Sequence, residues 1–234
     1  MRLFDFGTRL CETPFFQGFS DTHCHILPGV DDGFQSLKNS LEALRRYEAL
    51  GVREVWLTPH IMEDMPKRTE DLQRRFEDFK AEYGGPLVLH LAAENMMDAI
   101  FDERLSGGDI LPALDRSYLV ETSCVNAPNM LESILDDIRA LSHFPLLAHP
   151  ERYFYMSEST YRRLYAEGVR FQLNLGSLVG LYGAAVKKKA EMLLENGYYF
   201  CVGTDLHSLG QLDAILEGKM KSRHLERLLE LRNR

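Results

Sequence analysis

The sequence predicts an α/β chain built from parallel strand–helix units, on three observations. Seven short apolar runs recur along it, most of them followed by a helical stretch. The helical stretches carry apolar residues at helical spacing, and several stop at glycine, as at Gly51, Gly84-Gly85 and Gly197. The side chains with the most chemistry fall just beyond the C-terminal ends of the strands, where parallel βα folds build their sites. Connections of this kind are right-handed. Periodicity alone leaves a closed barrel and an open doubly wound sheet both standing, but no GxGxxG or GxxxxGK[ST] follows any strand, which argues against a nucleotide fold.

Taken in order, residues 1–17 read as an N-terminal arm whose Phe4, Phe6, Phe15 and Phe16 pack on the chain's own body or on a partner. Residues 18–234 read as a single domain, a size that one barrel allows. The first strand covers 19–23. Ser36 caps a helix running to Leu50, with Leu37, Leu41, Leu44 and Tyr47 on one face. The second strand is 54–58, followed by a polar helix capped by Thr69 and running to Tyr83. The third strand is 87–92, and a short helical piece over 98–105 leads to the fourth at 118–120. Pro128 opens a helix to Leu141. Strand five is 145–148, helix 159–167 follows, and strand six is 170–173. Helix 184–195, strand seven at 199–202 and a terminal helix over 223–231 complete the set.

The chain has 234 residues, 45% hydrophobic and 26% charged, the proportions of an ordinary globular protein. A formal charge of −8 argues against general nucleic-acid affinity. It leaves small phosphates open, since carboxylates that ligate metal are neutralised in place. No apolar run reaches membrane-spanning length, so no membrane insertion is expected. The four cysteines, Cys11, Cys24, Cys124 and Cys201, are scattered, which suits a reducing, cytoplasmic compartment. None has an arginine six residues on (Gln17, Val30, Met130 and His207 stand there), so the cysteine-phosphatase signature is absent.

Asp21-Thr22-His23-Cys24-His25 draws attention first. On a strand, His23 and His25 share a face while Cys24 takes the other. Two imidazoles so placed can share a metal ion, although His-x-His alone also fits two satisfied core histidines. Asp32 lies in the following loop. His60 follows strand two, Glu94 follows strand three, and Glu121 ends strand four. His149 ends strand five in His149-Pro150-Glu151-Arg152, and Asp205 and His207 follow strand seven. His90, His143 and His224 stand apart and read as structural or surface residues. Nine candidate ligands at one end of the fold are too many for one ion and about right for three. Mixed imidazole and carboxylate donors suit Mn²⁺, Zn²⁺ or Fe²⁺ better than Ca²⁺ or Mg²⁺.

This ordered set resembles the polymerase and histidinol phosphatase (PHP) family. Within it the chain is most similar to the bacterial manganese-dependent tyrosine phosphatases of capsular and exopolysaccharide synthesis, a resemblance running from Asp21 to His207. The Val30-Asp31-Asp32-Gly33 and His149-Pro150-Glu151-Arg152 segments favour that branch over histidinol phosphatase. The resemblance implies a distorted seven-stranded TIM-like (β/α)7 barrel with three divalent ions, manganese first, iron or zinc as alternatives. It places His23, His25, Glu94 and Asp205 on one ion. Glu94 bridges to a second, completed by Glu121 and His149, and Asp32, His60 and His207 hold the third. Arg152 would grip the phosphate, and His207 or a bound water would supply the leaving-group proton. It further implies hydrolysis by a metal-activated hydroxide with direct release of phosphate. The substrate would be a phosphotyrosine protein, the tail of a bacterial tyrosine kinase.

The chain departs from the pattern in one place. Family members often carry a second arginine shortly after Asp-x-His, and Ser208-Leu209-Gly210-Gln211-Leu212 has none. Lys67 and Arg68, after His60, are the candidates to replace it, against a plain reading as solvated charges ahead of a helix. Two rival activities share the donor pattern: a small-molecule phosphoesterase on the same metal core, and a metal-dependent amidohydrolase. The second often needs a lysine on strand four, where Glu121 stands.

Overall fold

The structure, a computed structural model, describes residues 7–232. Its strands are β1 (Thr8–Arg9), β2 (Ser20–Cys24), β3 (Glu54–Leu57), β4 (His60–Ile61), β5 (Val88–Leu91), β6 (Glu94–Met96), β7 (Ser117–Glu121), β8 (Phe144–Ala148), β9 (Arg170–Asn174), β10 (Tyr199–Gly203) and β11 (Lys219–Met220). Its helices are α1 (Leu37–Leu50), α2 (Thr69–Tyr83), α3 (Phe101–Ser106), α4 (Leu131–Ala140), α5 (Glu158–Ala166), α6 (Leu175–Val179), α7 (Ala184–Glu195), α8 (Leu209–Glu217) and α9 (Ser222–Arg232).

Two parallel sheets carry the fold. One has six strands in the order β10-β9-β8-β7-β6-β4, the other three in the order β2-β3-β5. The second and third expected strands end at Leu57 and Leu91, and after breaks at Thr58-Pro59 and Ala92-Ala93 two short strands outside the expected set, β4 and β6, carry the chain into the other sheet. Proline has no N–H to give a ladder, so Pro59 is a natural place for the break. Each break falls directly before a candidate ligand, His60 or Glu94. At the other margin β2 meets the end of β10: His25 N–H donates to Leu206 O (3.0 Å), Asp205 N–H to His23 O (2.8 Å) and Thr22 Oγ1 to Val202 O (2.9 Å).

Helix boundaries follow their local chemistry. Ser36 Oγ accepts from Asn39 N–H at the start of α1, and Gly51 ends it in the left-handed region at φ 84°. Tyr47 and Leu44 put the buried face of α1 against the sheets. Thr69 stands inside α2 rather than capping it. Asp109 does that work, accepting from Thr69 N–H (3.0 Å) and Oγ1 (2.6 Å) across forty residues of chain. Helix α4 begins at Leu131, three residues beyond Pro128, because Leu131 N–H closes a turn back to Pro128 O. Helices α6 and α8 had no counterpart in the sequence reading. The first is five residues long, four of them buried, so it shows no amphipathic period.

The described part of the N-terminal arm, from Gly7 on, packs on the rest of the chain. β1 pairs antiparallel with β11, and Phe15 and Phe16 are buried against Phe19 with ring centroids 4.8–5.8 Å apart. Phe4 and Phe6 lie outside the described residues.

Candidate functional site

Strand ends deliver the chemistry. His23 and His25 leave β2, His60 opens β4, Glu94 opens β6, Glu121 closes β7, His149 follows β8 and Asp205 follows β10. Two of these backbone positions are unusual for residues with a Cβ: His149 has φ 33° and Asp205 φ 53°. Left-handed backbone turns the chain sharply at a strand end, and such outliers gather where geometry serves a site. Two glycines make room. A Cβ on Gly203 would lie 2.4 Å from His23 Cβ, and one on Gly33 would lie 2.3 Å from His25 O.

All nine expected ligands come together. His23 Nε2 lies 3.1 Å from His25 Nε2, 3.1 Å from Glu94 Oε2 and 3.5 Å from Asp205 Oδ1. His25 Nε2 lies 3.3 Å from each of the same two oxygens. These four side chains are essentially fully buried. His60 Nδ1 reaches Glu121 Oε1 at 2.8 Å and Glu94 Oε2 at 3.2 Å. His149 Nε2 meets Glu94 Oε1 at 2.8 Å but stands 3.8 Å from Glu121 Oε2. Asp32 Oδ1 sits at the rim, 3.6 Å from His60 Nε2 and 3.5 Å from His207 Nε2. Its side chain is 63% exposed and that of His207 27%, so the centre is sealed below and open at this edge.

Three clusters of donor atoms result: His23, His25, Glu94 and Asp205; His60, Glu94 and Glu121; and His25, Asp32, His60 and His207. The first is the set expected from the resemblance. The other two differ from it by one residue each. His60 stands with Glu94 and Glu121 where His149 was expected, and His25 joins the outer group, its ring stacked on His207 at 4.0 Å.

The sequence reading passed over the residues that hold these ligands. Of the pair Asp31-Asp32, only Asp32 was singled out, yet Asp31 is the buried one. Its Oδ2 accepts from His25 Nδ1 (2.8 Å) and from His60 N–H (3.0 Å), and its Oδ1 from Gly33 N–H (3.0 Å). Gln172 Oε1 accepts from His23 Nδ1 (3.0 Å) and His149 N–H (3.1 Å). His207 Nδ1 donates to Asp205 O at 2.9 Å. In each of these three imidazoles Nδ1–H is spoken for, so Nε2 is the nitrogen turned inward, and it offers a lone pair to a metal once the ring is neutral. Asp21, fully buried, accepts from Tyr47 OH (2.7 Å), Thr204 Oγ1 (2.7 Å) and Thr204 N–H (2.8 Å), pinning β2 to the Asp205 segment. A signal was there: Gln172 and Asn174 alternate with Phe171 and Leu173 along the strand, and both are polar residues on a buried face.

Electrostatics point the same way. Burial alone would lower the pKa of His23, but Glu94 and Asp205 outweigh it and raise it to about 9. Burial alone would raise the pKa of Glu94, but His23, His60 and His149 hold it well below the carboxylate range. Asp205 is likewise held down, against burial, by His23 and His25. Buried carboxylates at this density demand positive charge beside them.

The donors present fit divalent metal ions. Ligands bonded to one ion at ~2.1 Å sit about 3.0–3.4 Å apart, close to the spacing of the first cluster. His60 Nδ1 and Glu121 Oε1 are buried and face each other, yet they lack the angle of a hydrogen bond. Two polar atoms left so, aimed at a common point, are what a shared cation explains.

Arg152 stands beside this centre, on a single 3-10 turn (Pro150–Arg152) after His149. Its Nη1 donates to Asp205 Oδ2 (2.9 Å) and its plane lies 4.7 Å over the Tyr182 ring. Asp205 therefore divides its oxygens, Oδ1 toward the histidines and Oδ2 toward Arg152 and Asn174 Nδ2 (2.8 Å). A cleft of about 310 Å³ lined by Arg152, Leu181, Tyr182, Asp205, His207 and Gln211 opens here. Larger hollows elsewhere hold none of the nine donors. Of the three histidines set aside, His90 stacks on Trp56, His143 on Tyr118, and His224 is buried between Glu191 and Glu195. Among the aromatics after Arg152, Tyr153 is buried and stacks on Tyr155, while Phe154 is exposed.

Comparison with known proteins adds the following. A family model described as capsular polysaccharide synthesis, CpsB/CapC, matches residues 19–221. The tyrosine-protein phosphatase CpsB of Streptococcus pneumoniae is 30% identical over 205 residues, 81% of this chain and 83% of that protein. The tyrosine-protein phosphatase YwqE of Bacillus subtilis is 27% identical over 196 residues, 81% of this chain and 77% of that protein. Among solved structures, one from a description of YwqE and CpsB as unique metal-dependent tyrosine phosphatases superposes with a TM-score of 0.76 at 24% identity, over 90% of this chain and 85% of that one. An inactive dihydroorotase-like domain from Chaetomium thermophilum shares the fold more loosely, with a TM-score of 0.50 at 10% identity over 92% of this chain and 80% of that one.

Proposed function

Because this chain belongs to the CpsB/CapC family of capsular polysaccharide synthesis, we propose that it is a metal-dependent protein-tyrosine phosphatase acting in capsular or exopolysaccharide synthesis. The observation that carries the reading is the convergence of nine imidazole and carboxylate side chains beside one half-buried arginine. That arrangement suits a phosphate monoester, whose charge needs cations on several sides.

The strand order, with β2 meeting the end of β10, supports the distorted seven-stranded (β/α)7 barrel. The donor clusters support three divalent ions, manganese with iron or zinc as alternatives. His23, His25, Glu94 and Asp205 would hold the first; Glu94, Glu121, His60 and His149 the second; Asp32, His60, His207 and His25 surround the third. When bound, such ions supply Lewis-acid charge to phosphoryl oxygens and bring the pKa of water to about 7.

The chain's own residues do the rest. Arg152, oriented by Asp205 and Tyr182, offers its remaining N–H groups to two phosphoryl oxygens. The buried inner donors keep bulk water from the centre, and the Asp32–His207 edge admits the substrate. With His207 Nδ1 donating to Asp205 O, the Nε2 lone pair faces the centre, which suits a ligand better than a proton donor. A tyrosine phenolate, of pKa about 10, leaves without a strong acid. The substrate is a phosphotyrosine protein, the tail of a bacterial tyrosine kinase, met in the cytoplasm. No described helix is long and apolar enough to cross a membrane.

The test pairs elemental analysis of the purified protein with turnover of a phosphotyrosine peptide, histidinol phosphate and a cyclic amide. Peptide turnover that a chelator abolishes, that Mn²⁺ restores and that thiol alkylation leaves intact is expected. Preferred turnover of either small molecule would replace the proposal.

A further inference from the structure

We infer that Lys67 supplies the second cationic contact to the substrate phosphate, opposite Arg152. This rests on the phosphatase reading above.

The segment after His207 is closed to the task. Gln211, its one long polar side chain, is consumed by backbone: Oε1 accepts from His207 N–H (2.8 Å) and Nε2 donates to Asp205 O (2.8 Å). Leu212 is fully buried. Among the described residues that line the cleft beside it, Arg152 is the one lysine or arginine.

The loop after His60 supplies another. Met65 N–H bonds back to Met62 O (2.9 Å), folding the loop over β4. Within it, Lys67 and Arg68 part company. Arg68 is exposed, at the cap position of α2, where its side chain makes no capping bond. Lys67 is half-buried and turns to the site: Nζ donates to Met65 O (3.1 Å) and to His60 O (3.3 Å). An ammonium has three protons to give, and these two carbonyls fix the head beside a metal-ligand candidate with the third to spare. Burial lowers the Lys67 pKa, aided by Arg75, while Asp31 and Asp32 act against it. Those two carboxylates belong to the outer edge of the centre, so the ammonium stands within their field, on the His60 side. Arg152 stands on the Asp205 side. On this proposal a phosphoryl group over the donors meets Lys67 from the His60 side and Arg152 from the Asp205 side. Lysine serves such a site as a point charge without a fork.

The experiment uses the metal-loaded protein, a phosphotyrosine peptide and inorganic phosphate as competitive inhibitor. Lys67→Met should raise both the peptide KM and the phosphate Ki about tenfold, with Lys67→Arg recovering most of the loss. Metal content should match wild type in both, and Arg68→Met should change neither constant. Phosphate inhibition of Lys67→Met within about twofold of wild type would overturn the assignment. So would metal lost in step with phosphate affinity, since Lys67 would then be only a strut of the His60 loop. A wild-type protein that neither turns over the peptide nor binds phosphate would instead remove the phosphatase reading itself.

Discussion

Replacing Arg152 with alanine should separate phosphate binding from metal binding, because the proposed reading gives the two jobs to different atoms. The guanidinium spends Nη1 on Asp205 Oδ2 and rests on Tyr182, and its further N–H groups are the ones a phosphate can take. Those groups can make two charge-assisted hydrogen bonds to phosphoryl oxygens, each worth ~1.5–3 kcal/mol. Allowing for non-additivity, their loss should raise the barrier by about 3–4 kcal/mol, or roughly 10²–10³ in kcat/KM for a phosphotyrosine peptide. Asp205 keeps Asn174 Nδ2 at 2.8 Å, and its Oδ1 still faces His23 and His25, so bound metal should stay at the wild-type level. Arg152→Lys restores charge without the fork and should recover no more than about tenfold. The assay is steady-state turnover alongside elemental analysis of the same preparations. Arg152→Ala turning over the peptide within about threefold of wild type would refute the role. Metal falling together with activity would show that Arg152 acts only through Asp205.

Three further outcomes are expected. Asp31→Ala removes the acceptor shared by His25 Nδ1 and His60 N–H, and metal affinity in a chelator competition should fall ~10–100-fold; an unchanged affinity would leave Asp31 as a turn residue. Gly33→Ala puts a methyl 2.3 Å from His25 O, a backbone atom that cannot step aside. Urea unfolding should register a loss of about 2–3 kcal/mol, and a loss under ~0.5 kcal/mol would contradict the packing described. Metal uptake should release protons. The His23 pKa rises from 6.5 unfolded to about 9 folded, so protonation stabilises the metal-free fold fully below 6.5 and that contribution is lost as pH climbs through about 9. A ligand imidazole must shed that proton, so metal affinity should climb with pH across that window. Calorimetric titrations in buffers of differing ionisation heat would read the protons, and identical heats in all buffers would contradict the coupling.

The seven main strands, most helices and all nine candidate ligands could be read from the chain itself. Strand alternation and helical spacing are local, and a histidine or carboxylate just past an apolar run advertises itself in the same few residues. Ser36 and Gly51 needed nothing distant. What stayed hidden depended on partners far along the chain. Gln172 meets His23 only because β9 lies next to β10, whose end in turn meets β2. Asp109 caps α2 across a loop, and Asp31 rather than Asp32 turns inward because Gly33 lets the chain close against His25. Lys67 and Arg68, alike in sequence, part only in the folded loop, where Lys67 Nζ donates to His60 O and Met65 O while Arg68 is exposed. Residue type and spacing determined which atoms could bind metal. The tertiary structure decided which atoms orient them, because a hydrogen bond between remote residues exists only once the order of the strands has brought them within about 3 Å.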